Sequence, residues 1–111
     1  RGLVRRTMPQ FIADGVELRV GDLVLNEESY EVTRGGTPIH LTATEFELLR
    51  FLMRNPRRVL SREQILDRVF SDDEDVQPEA VEVLIHRLRK RLENTGVRIV
   101  TLRGLGYVLE G

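Results

Sequence analysis

Cysteine and tryptophan are absent from all 111 residues. Without cysteine there is no disulfide framework, no thiol nucleophile and no thiolate-bearing zinc or iron–sulfur site. Aromatic residues make up 5% of the chain, too few for a platform on which unpaired bases stack, so single-stranded RNA is a poor partner. No apolar run approaches the roughly 18 residues that a membrane span needs, and Arg1–Arg6 is too short and too charged for a signal peptide. Only two histidines occur, His40 on an expected strand and His86 on an expected helix, and nothing supplies a third metal ligand. No serine sits at a strand-to-helix elbow, and no helix follows Gly104 and Gly106 to build a phosphate loop. No enzyme activity, cofactor or metal is therefore expected. The length suits one domain, read as soluble and cytoplasmic. Because the chain opens on Arg1 and not Met, it is expected to be part of a longer protein.

Charge is present in quantity but unevenly placed. The net charge of −1 hides alternating blocks. Residues 1–13 carry three arginines and no acid, whereas residues 14–47 carry eight acids against Arg19 and Arg34. Residues 48–70 carry six arginines against Glu63 and Asp67. Residues 71–83 hold six acids, and residues 84–103 hold five arginines and Lys90 against Glu93. Such segregation predicts one basic working face on an otherwise acidic body.

The periodicity changes twice along the chain. From Val20 to Leu41 apolar residues alternate with polar ones around turn signals at Asn26-Glu27-Glu28 and Gly35-Gly36, which predicts a small antiparallel meander. Thr42 with Glu45 then forms a capping box, and Phe46, Leu49, Leu52 and Met53 give a helical stripe that Asn55-Pro56 ends. Ser61 with Gln64 forms a second capping box for a short helix bearing Ile65, Leu66, Val69 and Phe70. After an acidic loop at 71–77, Pro78 opens a third helix expected to run over about 78–94, with Gly96 as its stop. Residues 98–109 read as a hairpin around Gly104-Leu105-Gly106.

At about 100° per residue, Val81, Ile85, Leu88 and Leu92 of the third helix share one narrow sector and make a core seam. The opposite sector holds Glu79, Val83, His86, Arg87 and Lys90, with Leu84 and Arg91 on one flank and Glu82 and Arg89 on the other. Two short helices before it place this element like the second helix of a helix-turn-helix, the one that enters a major groove. Arg103, beside the glycine-flanked hairpin tip, is suited to a minor groove, where the potential is most negative. The competing role for Arg103 is an ion pair with Glu82 or Glu79.

Four segments, Thr42–Leu49, Val59–Leu66, Ile85–Lys90 and Thr101–Tyr107, together resemble the effector domain of OmpR/PhoB-type two-component response regulators over about residues 20–110. The resemblance implies an α+β fold: a winged helix-turn-helix with an N-terminal four-stranded antiparallel sheet, three helices and a C-terminal β-hairpin wing. It implies that residues 1–15 are the remnant of a linker from a receiver domain and that 16–111 form the DNA-binding domain. The phosphoacceptor aspartate would lie on that receiver domain, under a histidine kinase. By resemblance, Arg62 touches a phosphate, while Glu79, Val83, His86 and Arg87 stand where the family contacts base edges and backbone. Arg103 matches the minor-groove arginine of the wing, and Thr101 and Tyr107 match backbone-contacting positions. Glu79 departs from the basic or neutral residue of several relatives, and would accept from a cytosine amino group or make no base contact. The loop with Asp72, Asp73, Glu74 and Asp75 matches a segment that touches RNA polymerase in activating members, though without the tryptophan some of them carry. Two copies on directly repeated half-sites of double-stranded DNA are expected. The alternative is a winged-helix protein-interaction module that does not bind DNA.

Overall fold

Residues 17–70 and 76–111 are described by the computed structural model; the expected linker at 1–15 and the acidic residues Asp72, Asp73, Glu74 and Asp75 lie outside them. Four short strands, β1 (Glu17–Val20), β2 (Leu23–Asn26), β3 (Glu31–Arg34) and β4 (Thr37–Ile39), form an antiparallel sheet in sequence order. The pairings Leu18↔Leu25, Leu25↔Val32 and Val32↔Ile39 put one apolar residue from each strand in a single row. Directly paired residues point to the same side of a sheet, so this row forms the face turned to the core. Gly35 and Gly36 both have positive φ, 54° and 88°, as a tight two-residue hairpin turn demands. Pro38 sits in β4, an edge strand, where its missing N–H breaks no ladder.

Three helices follow: α1 (Ala43–Arg54), α2 (Arg62–Val69) and α3 (Glu79–Arg91). Both capping boxes form, Thr42 with Glu45 and Ser61 with Gln64, each satisfying two otherwise unpaired amides. The first bonds of α3 run from Ala80 N–H to the Gln77 carbonyl and from Val81 N–H to the Pro78 carbonyl, so the missing Pro78 N–H leaves no gap. Sequence periodicity carries α3 to about Asn94, but the helix ends at Arg91. The Thr95 hydroxyl donates to the Leu92 carbonyl at 2.8 Å and accepts from Val97 N–H at 3.1 Å, turning the chain before Gly96. Local side-chain bonds of this kind compete directly with helix continuation.

The hairpin of β5 (Arg98–Leu102) and β6 (Gly106–Glu110) closes the fold. Its second strand is tied to the connection between α1 and α2. Leu60 N–H donates to the Tyr107 carbonyl at 2.8 Å and Tyr107 N–H donates to the Leu60 carbonyl at 2.9 Å. Gly106, φ 141°, makes the close approach possible, because a Cβ there would overlap the Leu60 carbonyl oxygen and lie 2.8 Å from Ser61 Cα. The core joins Leu23 and Leu25 of the sheet, Leu48, Leu49 and Leu52 of α1, Ile65 of α2, Val81, Ile85 and Leu88 of α3, and Leu109 of β6, all buried. Leu84, placed on the flank of α3 by helical angles, is also buried. The arrangement is a winged helix: sheet, three helices and wing.

Candidate nucleic-acid interface

With Val81, Leu84, Ile85 and Leu88 buried, α3 presents Glu79, Glu82, Val83, His86, Arg87 and Lys90 to solvent. Val83 is 52% exposed, an isolated apolar residue on a polar face. The charge along this face is graded. Glu79 and Glu82 lie in the first turn and Arg89, Lys90 and Arg91 in the last, an order that also complements the helix dipole.

Arg62, first residue of α2, reaches this face. Its Nη1 lies 3.7 Å from Glu82 Oε2. The start of α2, α3 and the wing enclose a cleft of about 400 Å³, lined among others by Arg62, Glu82, Thr101, Arg103 and Tyr107. Arg103 is exposed at the tip, and among the described residues no ion pair involves it. Glu82 pairs with Arg62 and not with Arg103. Val83, His86 and Arg87 lie along the helix from Glu82.

Two residues of the expected contact set also make bonds within the domain. Tyr107 is 8% exposed, its backbone locked to Leu60. Burial pushes its phenol above the ordinary tyrosine range and the Glu82 carboxylate adds to the rise, against opposing effects of Arg62 and Arg89. The Thr101 hydroxyl accepts a hydrogen bond from an Nη of Arg89, whose Nε donates to the Ile99 carbonyl at 3.0 Å. Arg89 was legible only as a flank of the helical wheel. An arginine at the edge of a core seam has the reach to cross to a neighbouring strand, and that position was the available signal.

The basic block at 48–70 does not gather on one face. Arg50 and Arg54 each donate through Nε to Glu27 Oε2 at 2.8 Å, and Arg68 lies over the Phe51 ring at 5.2 Å. A larger hollow of about 530 Å³ between α1 and α2 is lined by these same side chains, whose cations already have partners. A charge count along the chain cannot foresee this, because Glu27 comes from the turn after β2. Glu45 was also only half foreseen: it caps α1, is 2% exposed, and lies 3.6 Å from Arg91 Nε at the far end of α3.

Residues 36–109 match the family described as transcriptional regulatory protein, C terminal. The chain belongs to this family. It is the effector domain of OmpR/PhoB-type response regulators, and its three helices and wing are the fold's shared frame. Among similar proteins, the probable transcriptional regulatory protein TcrX of Mycobacterium tuberculosis is 53% identical over 111 residues, which cover 99% of this chain and 47% of that protein. The chain thus spans about half the length of the curated relatives it matches. Among solved structures, response regulator DrrB of Thermotoga maritima, an OmpR/PhoB homolog, superimposes with a TM-score of 0.75 at 34% identity, over 86% of this chain and 45% of that one. The Klebsiella pneumoniae RstA DNA-binding domain, solved in complex with the RstA box, gives a TM-score of 0.74 at 27% identity, over 85% and 96%. For this effector domain, no helix among the described residues is long and apolar enough to cross a membrane.

Proposed function

We propose that the domain binds double-stranded DNA sequence-specifically as the output of a response regulator. α3 enters the major groove with Val83, His86, Arg87 and Lys90 toward it, Arg62 meets a phosphate at the start of α2, and Arg103 enters the adjacent minor groove. The observation that carries this reading is the shared cleft: Arg62 of α2, Glu82 in the first turn of α3 and Arg103 of the wing tip line one hollow. The RstA domain, solved on its DNA box, supports it as a structural likeness. Glu79, at the start of α3, faces a cytosine amino group or no base at all.

The reading extends to the whole protein: a receiver domain ahead of this one, a histidine kinase upstream, two copies on directly repeated half-sites, and a polymerase contact through Asp72–Asp75. Titration of the domain onto one-site and two-site duplexes at several salt concentrations tests it. A steep fall of affinity with salt indicates neutralised phosphates, and a gain in occupancy from sites one helical turn apart indicates tandem binding. Binding with no salt dependence would return the fold to protein interaction alone.

A further inference from the structure

The bond network between α3 and the wing has a direction. Arg89 leaves the last turn of α3, half-buried, and grips β5 twice, at the Ile99 carbonyl (3.0 Å) and at the Thr101 hydroxyl. Ile99 is buried in the core, whereas Thr101 is exposed and lies two residues before Arg103. One guanidinium therefore links the core, the helix carrying the major-groove residues, and the part of β5 that leads to the tip. A planar fork holding two acceptors fixes direction as well as distance. Other ties act on β6: the Leu60–Tyr107 bridge, on the rung that Tyr107 shares with Thr101, and the bond from Arg57 N–H to the Leu109 carbonyl at 3.1 Å. Among the described residues, tip residues 103–105 make the bond from Leu105 N–H to the Leu102 carbonyl, at 2.9 Å.

We propose that Arg89 is a positioning residue for DNA recognition: it sets the wing against α3, so that Arg103 reaches the minor groove at a fixed offset from the residues in the major groove. Resting on the DNA-binding reading above, this gives the Thr101 oxygen to Arg89 as an acceptor, while its O–H stays free to donate to a phosphate. It also removes Arg89 from the set of phosphate-neutralising cations, although it lies in a basic stretch.

The test uses Arg89→Gln, Arg89→Lys and Thr101→Val, singly and with Thr101→Val combined with each Arg89 change. On a duplex with an A·T-rich flank under the wing, both Arg89 variants should bind about five- to tenfold more weakly, and little changed on a G·C-rich flank. The slope of log affinity against log salt should stay that of the unmutated domain, whereas loss of a phosphate ligand lowers it by about one. Arg89→Lys keeps the charge but not the fork, and guards against a variant that fails to fold. Thr101→Val should give a similar loss, and the double variants no more than either single one.

A second readout needs no DNA. The chain has no cysteine, so spin labels at Glu79→Cys and Leu105→Cys, both exposed positions, report the distance from α3 to the wing tip. Its distribution should broaden in the Arg89 variants. A reduced salt slope, additive losses for Arg89 and Thr101, or an unchanged distance distribution would each overturn the assignment. Absence of duplex binding by the unmutated domain would sink the DNA reading and the coupling with it, while the label distances would still report whether Arg89 holds the wing.

Discussion

Arg62 and Glu82 face each other across the cleft between α2 and α3, 3.7 Å apart and both partly exposed. An exposed pair of this kind contributes little to stability, about 0–1 kcal/mol. On the proposed DNA-binding function its larger effect is on binding, because a carboxylate beside the Arg62 guanidinium opposes any phosphate that approaches. Glu82→Gln should therefore raise affinity for arbitrary duplexes several-fold, with the melting temperature nearly unchanged. Arg62→Ala should weaken all duplexes about equally and lower the salt slope by about one. Competition titrations with non-specific DNA check both, and a Glu82→Gln variant with unaltered non-specific affinity would rule out the opposition.

Arg87 and Arg103 should divide recognition between grooves. Arg87→Ala is expected to cost about 1–3 kcal/mol on the best site if it holds guanine through two bonds. Arg103→Ala should cost most where the flank is A·T-rich and the minor groove narrow. The two losses should add, since the side chains share no partner. Isotherms for both single variants and the double variant on flank-swapped duplexes decide the matter; a loss at Arg103 indifferent to flank would refute its minor-groove role.

Gly106 predicts a folding defect distinct from any binding defect. Gly106→Ala drives a methyl into the Leu60 carbonyl, and with the positive φ should cost about 2–4 kcal/mol. Gly104 also has positive φ, 77°, but meets nothing within 4 Å, so Gly104→Ala should cost only about 1–2 kcal/mol of backbone strain. Urea melts of the two variants provide the comparison, and equal midpoints would contradict it.

Glu27 predicts a response to acid. Its surroundings desolvate it, which raises its pKa, but hydrogen bonds from Arg50 and Arg54 outweigh that and hold the carboxyl below the usual range. A carboxyl depressed on folding contributes stability fully above its unfolded value of about 4.3, and loses it as pH falls through the folded value. Glu27→Gln should cost about 1–2 kcal/mol at neutral pH, and variant and parent should converge as pH drops below about 4. Denaturant melts from pH 7 to 3 measure this; a constant difference across that range would show that Glu27 acts through shape alone.

Much of the fold was legible because its signals are local. Both capping boxes, the Gly35-Gly36 turn and the seam of Val81, Ile85, Leu88 and Leu92 each depend on residues a few positions apart, and each formed. The exposed sector of α3 followed from the seam by geometry, which is why Glu79, Val83, His86, Arg87 and Lys90 were all found outside the core. What stayed hidden depends on distant partners. Arg50 and Arg54 turn to Glu27, more than twenty residues earlier, and Arg91 lies beside Glu45. Arg89 captures Thr101 only because α3 and β5 pack together. Leu84 joins the core cluster although it lies on the flank of the seam, so the buried stripe is wider than a single angular sector. The end of α3 was missed for want of one hydroxyl, that of Thr95.

The wing is anchored along one strand and open at its tip. At the start of β6, Gly106 admits no side chain against Leu60, and Tyr107 is locked through its backbone. At the tip, Arg103 and Leu105 are exposed. A side chain exchanged at 103 or 105 therefore meets solvent and not the core, so substitutions there leave the packed part of the wing intact.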